Sequence, residues 1–237
     1  MDQYDDIAEE YYDSSRHPTC ANFREISKNF LTENILYLIE SAIIFDIGAG
    51  NSIVAEIKSE IKSISARVVI SDKSRNMINN SRSLHAYIDA VCICDAQKDL
   101  SAMVDYFGKC DLAICNLGDP YNTKNFWLQL SRIVKDQGNV IFTTPSYEWS
   151  QSFRANHQNG NLVSAEFATK NGVKHVPSFI HSNKTQSKMM DRYGFQIQSI
   201  EKLALNRLSS NNISEKISSS IDKREGVVTA YIARRNY

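Results

Sequence analysis

The strongest constraint in this sequence is a regular exchange between short apolar runs and helix-compatible stretches. Ala42-Ile43-Ile44-Phe45, Arg67-Val68-Val69-Ile70-Ser71, Tyr87 to Ile93, Asp111 to Asn116 and Asn139 to Thr144 read as five strands. Between them, helices are expected from about Ser52 to Lys62, from Ser74, from Lys98 to Phe107 and from Thr123 to Lys135. The last carries Phe126, Trp127, Leu130, Ile133 and Val134 at helical spacing. Strands that are apolar along their length are buried on both faces. Linked by helices, they form a parallel sheet with right-handed crossovers. The expected class is therefore α/β. Gly108, Gly138 and Gly194 each follow a helix-compatible stretch and precede an apolar run. Each is expected to end a helix in the left-handed conformation.

Two regions fall outside the alternation. Residues 1–38 read as helical, with Ile7, Ala8, Tyr11 and Tyr12 on one face. Residues 162–180 read as a hairpin turning at Asn171-Gly172. Two closing strands, near 195–204 and 226–234, have only a Ser/Asn-rich loop or weak helix between them. No domain linker is evident, so one domain over residues 1–237 is expected.

Charge narrows the partners. The 237 residues hold 27 Lys+Arg and 27 Asp+Glu, and residues 1–13 carry six acidic side chains and no basic one. That is no surface for a long polyanion, so no nucleic-acid partner is expected. The apolar runs are too short to span a bilayer, and the acidic start is neither a signal nor a transit peptide. The five cysteines, Cys20, Cys92, Cys94, Cys110 and Cys115, include no CxxC pair. They read as reduced residues of a cytoplasmic protein, with no metal site expected.

The segment with chemical content is Phe45-Asp46-Ile47-Gly48-Ala49-Gly50-Asn51-Ser52, where the first strand meets the first helix of the alternation. Two glycines let backbone amides approach a ligand at the carboxyl edge of the sheet. A dinucleotide loop would want a small residue where Ile53 stands, and a phosphate loop would want a lysine. Asp46 instead places negative charge there, which suits a cationic ligand such as S-adenosylmethionine. The alternative is that Asp46 caps the helix. Asp72, 22 residues past Gly50, ends the second strand, where a carboxylate can accept both ribose hydroxyls. Asp95-Ala96 ends the third strand, where a carboxylate can accept from an adenine amino group. Met77 can pack on an adenine face.

In this order and spacing, the sequence resembles the class I S-adenosylmethionine-dependent methyltransferases, in particular their small-molecule members. The resemblance rests on Asp46-Ile47-Gly48-Ala49-Gly50, on Asp72 with Ser74 and Met77, on Asp95-Ala96, and on Cys110 to Asn116 before a long helix. Tyr4 to Asp13 resembles the lid of the small-molecule members. The resemblance implies a Rossmann-like, seven-stranded, mostly parallel sheet with its last strand antiparallel and helices on both faces. A helical lid (1–40), a donor-binding core (41–145), a hairpin insertion with a helix (146–194) and closing strands (195–237) would make up the domain. Asp46, Gly48, Ala49 and Gly50 would hold the methionine end of the donor. Asp72 and Lys73 would sit at the ribose, and Met77, Asp95 and Ala96 at the adenine. Asn116 would line the mouth where the methyl group moves. Asn51-Ser52 departs from the glycine or threonine of many members.

Other residues carry paired readings. Leu117-Gly118-Asp119-Pro120-Tyr121 is either a turn or a degenerate form of the Asn/Asp-Pro-Pro-Tyr motif of amino-methylating enzymes. His17 is either a general base or an exposed loop histidine, and Asp119 is the other candidate base. Tyr12, Tyr121, Tyr147 and Trp149 are candidate walls of an acceptor pocket; Tyr147 and Trp149 could equally cover the core. His175 and His181 read as surface residues. The expected function is methyl transfer to a small-molecule acceptor. The alternatives are an RNA or DNA methyltransferase and a non-catalytic donor-binding subunit.

Overall fold

The five apolar runs form strands β1 (Ile43–Ile47), β2 (Arg67–Asp72), β3 (Ala90–Ile93), β4 (Cys110–Cys115) and β5 (Val134–Pro145). The structure, a computed structural model, describes residues 4–35, 42–61, 64–154, 157–158, 161–208, 212–219 and 226–236. Part of the expected lid (1–3 and 36–40) and part of the Ser/Asn-rich loop (209–211 and 220) lie outside the described residues. A separate antiparallel sheet contains β6 (His157–Gln158), β7 (Asn161–Thr169) and β8 (Gly172–Ile180). The closing strands are β9 (Phe195–Leu203) and β10 (Val228–Arg235). The main sheet runs β3-β2-β1-β4-β5-β10-β9, with β10 antiparallel to both neighbours.

Side-chain alternation sorts the core into two layers. Ile44, Val68, Ile70, Leu112 and Ile114 face helices α1 (Pro18–Ile35) and α2 (Ile53–Glu60). After the short α3 (Arg75–Asn79) come α4 (Ser101–Phe107) and α5 (Lys124–Ile133), on the opposite face. There they meet Phe45, Ile47, Val69, Ala113 and Phe142. Phe126, Trp127, Leu130 and Ile133 of α5 are fully or almost fully buried, at roughly 1.5–3 kcal/mol each. Helices α6 (Tyr147–Gln151), α7 (Asn183–Arg192) and α8 (Glu215–Ser218) complete the chain. Among the described residues no helix is long and apolar enough to cross a membrane.

Several boundaries differ from the sequence expectation. Residues 4–16 are a chain of turns, and the regular helix starts at Pro18, whose missing N–H suits a first helical position. The expected β3 start at Tyr87 falls in a 3-10 turn over Arg82–Tyr87. Helix α4 starts at Ser101, because the Asp99 carboxylate accepts its N–H at 2.8 Å and stops the helix there. Gly138 does not end α5. The helix stops at Ile133 and β5 begins at once, with a register break between Cys110 and Leu112. The left-handed residue there is Gln137 (φ 61°), while a side chain on Gly138 would lie 2.8 Å from Val134. Close approach, not backbone angle, calls for that glycine. In the hairpin, Lys170 and Asn171 make the turn and only Gly172 has positive φ, so Asn171-Gly172 is not the central pair.

Candidate active site

The glycine segment joins β1 to α2 at the carboxyl edge of the sheet. Gly48 (φ 66°) and Gly50 (φ 49°) both take the left-handed conformation that other residues resist. The Ala49 N–H donates to Ser71 O at 2.8 Å. The Gly50 N–H donates to the Asp72 carboxylate at 3.1 Å, and the Ser74 N–H donates to its other oxygen at 2.9 Å. Ser81 Oγ closes the loop, accepting from Ser52 N–H at 2.7 Å and donating to Gly50 O at 2.8 Å. Asp72 thus clamps the bend from the tip of β2.

Asp46 sits beneath the bend, buried. It accepts from Ser52 Oγ at 2.6 Å and from the Val54 N–H, so it does cap α2. Burial pushes its pKa up to about 6 against those hydrogen bonds and the Arg24 charge. It also borders the cavity above, so the capping and ligand readings coexist.

That cavity measures about 770 Å³, within the roughly 300–1,000 Å³ of small-molecule sites. Of the expected site residues, Asp46, Gly48, Ala49, Asp72, Met77, Asn116, Tyr12 and Tyr121 line it. Gly50 touches it through Tyr12: a Cβ on Gly50 would fall 2.2 Å from the Tyr12 hydroxyl. That hydroxyl accepts the Asn51 N–H at 2.7 Å. A Cβ on Gly48 would fall 2.3 Å from the Tyr121 ring. Two tyrosines therefore rest directly on the glycines.

The β4–α5 connection forms the far wall. Leu117 is held at φ 49°, a strained value for a leucine. Thr143 Oγ1 fixes it, accepting the Leu117 N–H at 2.7 Å and donating to Asn116 Oδ1 at 2.8 Å. Tyr121 N–H donates to Gly118 O at 3.0 Å, which makes Gly118 to Tyr121 a turn.

Other expected residues lie outside the cavity lining. Asp95 accepts the Gln97 N–H at 3.0 Å, with the Lys98 ammonium 3.6 Å away, and Ala96 is buried in the core. The Lys73 ammonium stands 5.6 Å over the Tyr4 ring and 5.9 Å over the Tyr121 ring. Tyr147 and Trp149 are in α6, and Trp149 packs edge-on against Phe23 in the α1 layer. His17 is buried, not exposed. Its ring lies 4.2 Å from Phe167, its Nε2 has no partner among the described residues, and burial lowers its pKa. Asp119 is buried too, and burial raises its pKa against the Arg154 charge. It accepts from Ser178, and Arg154 stands 3.9 Å away. Its main-chain carbonyl accepts the Phe179 N–H at 2.7 Å, tying the loop to β8. His175 is exposed, whereas the half-buried His181 places Nε2 3.0 Å from Asn122 O.

The comparisons bear on this geometry. No family model matches the chain, and no curated protein matches it. Solved structures do. One is the Haloferax volcanii complex of the Trm112 methyltransferase activator with a candidate methyltransferase (12% identity, 100% of this chain and 99% of that one, TM-score 0.65). Another is the CcbJ methyltransferase of Streptomyces caelestis (10% identity, 100% and 97% covered, TM-score 0.61). A third is an S-adenosylmethionine-dependent methyltransferase of Clostridium acetobutylicum (13% identity, 92% of each chain covered, TM-score 0.58). The fold is that of the class I S-adenosylmethionine-dependent methyltransferases.

On this methyltransferase fold, the turns of residues 4–16 form a cover. Ile7 and Ala8 pack with Met77, Phe167 and Val176, bridging the sheet edge and the hairpin. The acidic residues of the cover pair with hairpin lysines: Asp6 with Lys174 at 2.7 Å and Glu9 with Lys170 at 3.7 Å. Tyr4, Tyr11, Cys20 and Arg24 also line the cavity and were not picked out from the sequence. Tyr4 and Tyr11 lay inside the acidic motif, but nothing in their spacing separates a cavity wall from a core face. Arg24, 5.5 Å over the Tyr12 ring and 2.7 Å from Glu56, offered no motif at all.

Proposed function

We propose that the chain binds S-adenosylmethionine and transfers its methyl group to a small-molecule acceptor. The observation that carries this reading is the glycine bend clamped by Asp72 at the floor of a covered cavity of about 770 Å³. The residues present suit the donor. Asp72 borders the cavity, accepting backbone N–H groups from Gly50 and Ser74 and a long 3.5 Å hydrogen bond from the Tyr121 hydroxyl, which a ribose hydroxyl could replace. Met77 offers a polarizable surface for a flat base. Asp46 and Asp72 give the cavity floor negative charge, which complements a cationic sulfur. S-adenosylmethionine supplies an activated methyl group on that sulfur.

The chain's own residues orient and enclose. Gly48 and Gly50 hold the backbone in reach of the donor's amino-acid end, and Asp72 fixes the sugar. Tyr12 and Tyr121 set the wall between donor and acceptor. The cover and hairpin exclude water, which strengthens charge interactions inside. Burial raises the pKa of Tyr4 and Tyr11 well above the ordinary phenol value and moves the Cys20 thiol to about 12, so these walls stay neutral. No histidine lines the cavity among the described residues, though carboxylates do, including Asp46 and Asp72. Asp119 and His17 act in this reading as structural ties of the loop and cover. The partly covered cavity and the balanced charge favour a small molecule over a nucleic acid.

Calorimetric titration with S-adenosylmethionine and S-adenosylhomocysteine tests the donor, with NADH as the contrast. Heat from NADH alone would overturn the reading. Release of S-adenosylhomocysteine in the presence of small amines, phenols and thiols then tests turnover. Donor binding without release for any acceptor would favour a donor-binding subunit.

A further inference from the structure

A second cavity, of about 610 Å³, lies on the α5/α7 side, away from the glycine bend. Lys124, at the start of α5, and Lys188 and Arg192, one turn apart on α7, line it, with His181 beside them. Among the described residues no carboxylate lines it, and Asp191, the sole carboxylate of α7, is outside the lining. The side chains of Lys124, Lys188 and Arg192 form no ion pair or hydrogen bond among the described residues. Some cations elsewhere are matched, Lys28 to Glu56 and Glu60 and Lys135 to Asp111, and others such as Lys109 stand alone on the surface among the described residues; here three line one groove together. Three unmatched cations facing one groove repel each other, and an anion there relieves that repulsion.

From this we infer a binding site for a phosphate-bearing small molecule in the α5/α7 groove, separate from the glycine bend. A phosphate accepts several charge-assisted hydrogen bonds at once, which a lysine, a second lysine and an arginine fork can supply together. Lys124 and Asn125, the first residues of α5, both line the groove. Phe179 and Met189 give one side an apolar surface, fitted to the organic part of such a molecule. A long polyanion is a poor match: the groove is short, the chain has no net charge, and its first residues are acidic. This inference stands independently of the methyltransferase reading.

The test uses inorganic pyrophosphate as the probe, titrated calorimetrically into the whole protein at low and high salt. The Lys188→Ala/Arg192→Ala double variant is the perturbation and Lys109→Ala, an exposed cation outside the groove, is the control. The expected result is one-to-one binding that weakens with salt, falls about tenfold or more in the double variant and is unchanged in the control. Because the removed side chains are exposed, unliganded melting temperatures should match the parent. Absence of binding, or equal binding by the double variant, would overturn the site. A short single-stranded RNA bound more tightly than pyrophosphate through the same two residues would overturn its assignment to a small molecule.

Discussion

Gly50→Ala separates backbone strain from crowding at the centre of the candidate site. At φ 49° an alanine pays the left-handed penalty, roughly 1–2 kcal/mol. Its Cβ would also fall 2.2 Å from the Tyr12 hydroxyl and 3.1 Å from Met77 Cε. The thioether can move aside. The hydroxyl cannot move without leaving the Asn51 N–H, which it now accepts at 2.7 Å. Stranding that donor costs about 1–3 kcal/mol. The sum is roughly 2–5 kcal/mol. Gly194→Ala provides the reference: φ is 82° there and no atom lies within 4 Å of the new methyl. Urea unfolding of both variants should place Gly50→Ala below Gly194→Ala by about 1–3 kcal/mol. Adding Tyr12→Phe should shrink that gap, since the hydroxyl is then gone from both sides of the cycle. Equal losses at the two glycines, or a gap that survives Tyr12→Phe, would refute the claim that Tyr12 rests on the bend.

Three other outcomes follow from the same geometry. Asp72→Ala should weaken S-adenosylmethionine binding by about 1–3 kcal/mol and Asp72→Asn by less, since the amide keeps one acceptor; calorimetry reads both. The Asp46 pKa is raised from 3.8 to about 6, so its protonated form favours the fold. That contribution is complete below about pH 4 and is lost as pH rises through about 6; urea midpoints of Asp46→Asn should lack this decline. His17 has the opposite sign. Its lowered pKa favours the neutral ring, so stability of the cover should fall as pH drops below about 6.5, with limited proteolysis showing earlier cleavage in acid and His17→Gln losing that dependence.

The parallel core was legible because β1, β2, β4 and the second half of β5 each carry an apolar run of three or more residues, which leaves few other places for them; β3 departs from this, with Val91 and Ile93 exposed. The placement of Asp46, Gly48, Gly50 and Asp72 at the ends of neighbouring strands was legible as well; that Asp72 would accept the Gly50 N–H was not. What was hidden depends on contacts distant in sequence. Periodicity suggested a helix for residues 4–16, but their side chains satisfy themselves against Lys170, Lys174, Phe167 and α3, and turns serve that better. Asp95 lies just past β3, close to where it was expected, yet its carboxylate is held by a local turn and by Lys98. Trp149 illustrates a general difficulty: an aromatic residue after a strand at the carboxyl edge fits a pocket or a core equally, and only the position of α1 decided for the core.

The place of β10 inside the main sheet has a consequence for how the chain matures. Strand β5 is made long before its antiparallel neighbour, and among the described residues β9 has no partner in the main sheet other than β10. Until residues 228–235 have been synthesised, β5 keeps a bare hydrogen-bonding edge and β9 has nothing to join. Such edges recruit stray strands from other chains. A nascent chain stalled before this point would be a sticky species, and the step that removes the hazard is the insertion of a single eight-residue segment.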